Sequence, residues 1–132
     1  MSRSQWRSAL VVALRLAITL LFIPAILVKL RNPGAWAHLF TTWGYPSWGP
    51  LVVSIIEIIA LAALWIPALA TSASAALMIT TAGATATWLI HGPRSTAAYP
   101  GTILVLVAAL AWLQQTTVRR DSHTEPPEPR SK

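Results

Sequence analysis

The chain contains no cysteine. That removes disulfide exchange, thiolate nucleophiles, iron–sulfur ligation and cysteine-ligated zinc together. It leaves the redox compartment open, because a bundle held by lipid needs no disulfides. Acidic residues are almost as scarce: only 4 of the 132 residues are Asp or Glu, and only Glu57 precedes Asp121. Charged residues of either sign make up 11%, against roughly 25% in soluble domains. Water is therefore not the main solvent of this chain. A Gly-rich phosphate loop, a G-x-S-x-G elbow, an H-E-x-x-H metal pair and the GxxxG spacing of a dimerising helix are also missing.

What is present is apolar length. Apolar residues account for 55% of a chain with room for one domain at most. Four segments are candidates to span a bilayer. The first runs from about Ser8 to Leu30, interrupted by Arg15, and covers roughly 33 Å, close to the hydrocarbon thickness. Pro24 is expected to kink it, which neighbouring helices tolerate in lipid. The second, about Leu51 to Pro67, is short and holds Glu57; the third, about Ala68 to His91, is rich in Ala, Thr and Ser. The fourth, about Ala98 to Val118, carries Gln114 and Gln115 but no charge. A cleaved signal peptide is the alternative for the first, since Ala35-Trp36-Ala37 imitates a cleavage site. The stretch is too long for an h-region and holds Arg15 in its middle, so a retained helix fits better.

The formal charge of +6 raises nucleic acid as a partner, but its distribution argues against one. Arg3 and Arg7 lie at one end, Arg119, Arg120, Arg130 and Lys132 at the other, with no basic face interleaved with aromatics. Membrane topology accounts for these charges. With four spans both termini share a side, and the positive-inside rule places that side in the cytoplasm, leaving Lys29, Arg31 and Arg94 outside. Trp6, Trp65 and Trp112 then mark the cytoplasmic interface; Trp36, Trp43, Tyr45, Trp48, Trp88 and Tyr99 mark the outer one. The bundle is assigned to residues 1–118, and residues 119–132, rich in proline and charge, are expected to form a disordered cytoplasmic tail. Nothing beyond hydropathy suggests an internal repeat.

The outer side is heavy in aromatics for a reason. After Asn32-Pro33, a cap and a first helical residue, Trp36, Leu39, Phe40 and Trp43 recur at i, i+3, i+4 and i+7, and Gly44 ends the run. A short helix lying in the outer interface accounts for that stripe, with an ordinary anchored loop as the alternative.

Ionisable groups at membrane depth are costly and are functional-site candidates by default. Arg15, Thr19, Phe22, Ile26 and Lys29 share one helix face. Arg15 lies roughly 12 Å deeper than Arg7, although both cations could snorkel toward water. Glu57 has too short a side chain for that. By helix rise Lys29 sits roughly 8 Å above Glu57 and Arg15 roughly 12 Å below it. Side chains lean toward their own N-termini, so Lys29 is the nearer partner and that of Arg15 stays unnamed. Three roles compete for this Arg15, Lys29 and Glu57 set: a structural ion pair fixing helix register, a polar ligand site such as one for a quinone headgroup, and a proton-relay carboxylate. On the third segment Thr80, Ala84, Thr87 and His91 form a line whose small residues serve close packing by default, or line a pocket facing Glu57. His91 and His38 carry no metal-site spacing, and no metal is expected.

These residues together resemble the DoxX-like family of small four-helix membrane proteins. The resemblance rests on Arg15-Leu16, Lys29-Leu30, the Trp36…Phe40…Trp43-Gly44-Tyr45-Pro46 loop, Ile56-Glu57, Ala75-Ala76-Leu77-Met78 and His91-Gly92, in order, over about Leu14 to Leu113. It departs where the family often has glycine, here Pro24 or Ala25 and Ala60. The resemblance implies an all-α, up-and-down four-helix bundle in the cytoplasmic membrane. Some relatives are linked to quinone-coupled oxidation, such as the DoxD subunit of thiosulfate:quinone oxidoreductase; others look like accessory or assembly subunits. A quinone ligand, a membrane or periplasmic redox partner and self-association are the expectations that follow. A scaffold whose charges only fix packing is the competing expectation, and a small-solute transporter fits less well with so few spans.

Overall fold

The computed structural model of the protein describes residues 1–121, and of the tail expected over residues 119–132 the part beyond Asp121 lies outside them. The first helix, α1 (Arg3–Arg31), starts on a capping box: the Ser2 hydroxyl accepts from the Gln5 N–H at 3.3 Å and the Gln5 side chain accepts from the Ser2 N–H at 2.9 Å. Pro24 sits inside it. The Leu21 carbonyl, next to the Leu20 carbonyl that Pro24 leaves without its helical donor, accepts from the Tyr99 hydroxyl of a neighbouring helix. Then come α2 (Pro33–Thr42), α3 (Gly49–Leu64), α4 (Ala70–His91), a 3-10 turn (Arg94–Ala97) and α5 (Ala98–Asp121). There is no strand among the described residues.

Sequence expectation and structure differ mainly at boundaries. The second segment stops at Leu64 rather than Pro67, since Trp65 to Leu69 close a chain of tight turns. The last helix continues past Val118 to Asp121, so residues 119–121 are helical rather than the start of the expected tail. Asn32 occupies the start of α2, yet its side chain makes no capping hydrogen bond. The start of α2 is set by Pro33, whose fixed φ suits a first helical residue and whose missing N–H needs no partner. Its end is a Schellman turn: Gly44 at φ 83° lets the Tyr45 N–H reach the Phe40 carbonyl at 2.9 Å and its own N–H the Thr41 carbonyl at 3.1 Å.

The four long helices alternate in direction. Lys29 of α1 meets Glu57 of α3, while Thr19, further back on α1, meets Trp65 just past the end of α3. Likewise Ser74 pairs with Gln114 across α4 and α5, and Arg7 pairs with Thr116 across α1 and α5. Neighbouring backbones touch around the ring α1–α3–α4–α5, and among the described residues neither diagonal, α1 with α4 or α3 with α5, makes a backbone contact. Side chains must therefore fill the axis. In the half of the bundle nearer the termini, Ile18, Leu64, Leu77, Val107 and Leu110 do so completely, each with no measurable exposure.

Outside, the polarity of a soluble bundle is reversed. Ile79, Val105 and Leu20 are 73%, 69% and 67% exposed, whereas Ser54, Ser74 and Thr81 are buried and turn their hydroxyls onto carbonyls one turn back at 2.8, 2.9 and 2.6 Å. Three segments, Arg3–Arg31, Ala70–His91 and Arg94–Arg119, are long and apolar enough to cross a membrane, and α3 is a shorter apolar helix. Leu110→Ala should lower the unfolding free energy in detergent by about 2–5 kcal/mol, the usual cost of a buried leucine. Leu20→Ala, on the exposed face, should change it by less than about 0.5 kcal/mol. Titration of helicity with a denaturing detergent measures both.

Candidate functional site

In the other half of the bundle the axis is not filled. Past Leu77, α4 presents Thr80, Thr81, Gly83, Ala84 and Thr87, all too small to reach across an open diagonal. A cavity of about 690 Å³ results. Phe22, Ala25 and Lys29 of α1 line it on one side, Val53 and Glu57 of α3 on the next, and Tyr99, Pro100 and Ile103 close the far wall. Trp36 and Phe40 of α2, with Trp43, Tyr45 and Trp88, form its roof. The stripe that the sequence suggests for an interface thus turns its aromatic members into the bundle. Leu39, the fourth member, is half-buried but does not line the cavity.

The roof is held by ring contacts. Trp43 sits edge-on to Trp88 with centroids 5.0 Å apart and lies stacked on His91 at 5.9 Å, while Phe40 meets Tyr45 at 5.7 Å. Two glycines make room for these rings. A Cβ on Gly49 would come within 2.8 Å of the Phe40 ring, and one on Gly92 within 2.3 Å of Trp88. The Tyr45 hydroxyl reaches Thr87 at 3.4 Å, so one long hydrogen bond ties roof to wall.

On the wall, Lys29 Nζ lies 2.5 Å from Glu57 Oε2, with the side chains 12% and 7% exposed. The pair follows from direction. On antiparallel helices both side chains lean toward their own N-termini, so a lysine above and a glutamate below converge. In an apolar surrounding each ion is costly alone, and the desolvation of one is offset only by the other. The cavity therefore combines aromatic and aliphatic walls with one fixed dipole and several hydroxyls. Such a space suits a flat, largely apolar ligand bearing a few hydrogen-bonding atoms.

The polar set suggested by the sequence divides into two. Lys29, Glu57, Thr80 and Thr87 come together at the cavity. Arg15 and Thr19 do not. Two heptads of helix rise separate Arg15 from Lys29 by roughly 21 Å, beyond the reach of either side chain. Thr19 instead donates to the Arg15 carbonyl at 2.7 Å and accepts from the Trp65 indole at 3.2 Å. The Arg15 Nε is buried without a hydrogen-bond partner, so no partner emerges for it there. His91 is exposed and its ring is spent on Trp43 and Tyr45, at the roof's outer edge rather than against Glu57. Among the described residues no group of three or more His, Cys, Asp or Glu could hold a metal.

Sequence reasoning missed Thr81, Tyr45, Trp88 and Tyr99 as lining residues. Thr81 is one position off the Thr80–Ala84–Thr87 line, so periodicity alone places it on another face of the helix. The aromatics carry the signature of an interfacial belt, and only the fold of α2 over the bundle turns them inward.

Lys29→Met and Glu57→Gln should each lower the unfolding free energy by about 3 kcal/mol, because each leaves a buried group unpartnered. The double variant should lose less than the sum, and a double-mutant cycle in detergent measures the difference.

The chain matches no protein-family model, no curated protein and no solved structure.

Proposed function

We propose that the protein is a four-span subunit of the cytoplasmic membrane that binds a quinone in the cavity beneath α2 and serves a quinone-linked redox complex. The observation that carries this reading is the cavity itself, an aromatic chamber of about 690 Å³ with a closed lysine–glutamate pair on its wall. A quinone ring would lie among Phe22, Phe40, Trp43 and Trp88. Its carbonyl oxygens accept hydrogen bonds, which Lys29 can donate; the hydroxyls of the reduced form donate, which Glu57 and the threonine oxygens can accept. Electrons would come from a membrane or periplasmic partner protein. The resemblance to DoxX-like proteins, carried by Lys29-Leu30, the Trp36 to Pro46 loop and Ile56-Glu57, points the same way.

Several features support four spans. Because α1 and α5, and α4 and α5, run antiparallel, α4 starts at the end where α1 starts, and α3 has to return the chain along the bundle. Trp48 and Trp65, both exposed at its two ends, stand roughly 25 Å apart by helix rise. A modest local thinning of the bilayer accommodates that length. Arg3, Arg7, Arg119 and Arg120 at one end favour cytoplasmic termini, and α2 then lies at the outer interface with His38 and Thr42 toward water.

A second reading has its own support. The Lys29–Glu57 pair is closed and many of the threonine hydroxyls already donate within their own helix, as in a scaffold or assembly factor whose charges only fix register. Quinone content of the protein extracted in mild detergent separates the two. Wild type should carry quinone and Glu57→Gln should lose about tenfold of it, the effect of roughly one hydrogen bond to a charged group. Equal and negligible quinone in both would leave the scaffold reading, in which the variant changes stability or partner retrieval alone.

A further inference from the structure

A second concavity lies at the opposite end of the bundle, and the quinone reading makes no use of it. It encloses about 670 Å³ between the first turns of α1 and the last turns of α5. Arg3, Trp6 and Arg7 line it from α1, and Trp112, Thr116 and Arg119 from α5. Helical spacing puts them there: Arg3 and Arg7 are four residues apart, and Trp112, Thr116 and Arg119 follow at four and three. Among the described residues no carboxylate lines the cleft, and the first turn of α1 holds no acidic residue. The Arg7 guanidinium is fixed by a hydrogen bond to the Thr116 hydroxyl, which in turn donates to the Leu113 carbonyl at 2.9 Å. That uses one of five N–H donors on Arg7 and leaves the rest of its fork for another acceptor. Trp6 and Trp112 are both 64% exposed at the cleft, the disposition of indoles that sit at headgroup level.

We infer that this cleft binds the phosphodiester headgroup of an anionic phospholipid. The inference rests on the membrane reading of the fold and is independent of quinone binding. Guanidinium groups match phosphate oxygens in paired, charge-assisted hydrogen bonds. The two indoles and Leu113 supply apolar surface suited to the glycerol backbone and the first methylenes of a lipid, which a free phosphate lacks. Charges that served topology alone would attract anionic lipid diffusely, at either end, without a fixed stoichiometry. A cleft with an anchored arginine and two flanking indoles binds one lipid in one place.

The test uses the full chain in mild detergent with an equimolar mixture of phosphatidylglycerol and phosphatidylcholine, read by native mass spectrometry. Wild type should retain one phosphatidylglycerol in preference to phosphatidylcholine. Arg3→Gln with Arg7→Gln should cut that retention about twenty-five-fold, a factor of about five for each guanidinium lost. Arg94→Gln, at the far end, should leave it unchanged, and so should glycerol phosphate added at the same concentration. Equal retention of the two lipids, an equal loss in Arg94→Gln, or displacement by glycerol phosphate would each overturn the inference, the last by assigning the cleft to a soluble phosphate. Helicity by circular dichroism reports whether the double variant folds. If it does not, Arg3→Gln alone, at an exposed position, should still show the fivefold loss, and an unchanged retention there overturns the inference as well.

Discussion

A lysine and a glutamate facing each other across two antiparallel helices set the geometry from which the rest of this bundle follows. Neither ion is tolerable alone in a medium without water, and together they fix how far α3 is offset along α1. With that offset set, Trp65 falls opposite Thr19 and can donate its indole N–H there. Leu64 then drops into the dry part of the core beside Ile18 and Leu77. Among the described residues it is the one ion pair between helices. Most other hydroxyls, on Ser54, Thr81, Thr85 and Thr87, turn back onto their own helices and leave interhelical order to shape.

Shape divides the molecule along its axis. Four helices in a ring with open diagonals need large side chains at the centre, and α4 supplies them only as far as Leu77. Beyond it the face turned to the axis carries Thr80, Thr81, Gly83, Ala84 and Thr87 until Trp88 at the roof, and the centre becomes a chamber. The aromatic side chains of α2 close that chamber from above instead of anchoring in lipid alone. Gly49 and Gly92 let Phe40 and Trp88 lie flush against the backbone. The hollow half and the solid half thus trace to one change in side-chain size along α4.

Much of this was legible in the sequence. Helix number and approximate extent follow from apolar length and from Pro and Gly positions, and the Lys29–Glu57 pair follows from helix rise and side-chain direction. The stripe Trp36, Leu39, Phe40 and Trp43 gives α2 but not its orientation, since a bundle and a bilayer offer it equally apolar partners. Grouping Arg15 and Thr19 with Lys29 was the weaker step. A shared helix face is a statement about angle, and it says nothing about the roughly 21 Å of rise between Arg15 and Lys29. Thr81 and Tyr99 were out of reach for a related reason: whether a side chain lines a void depends on what its neighbours fail to fill.

The position of Glu57 on the second long helix and of Lys29 at the end of the first has a consequence for how the protein is made. A charge entering an apolar phase by itself costs about 3 kcal/mol even when insertion is assisted. The two residues are joined by fewer than thirty positions of chain, most of them in α2 and its turns. The pair can therefore form while α1 and α3 are still a hairpin, before α4 and α5 exist to surround it. Biogenesis then has a natural first unit, a neutralised hairpin, onto which the apolar second hairpin closes to create the chamber.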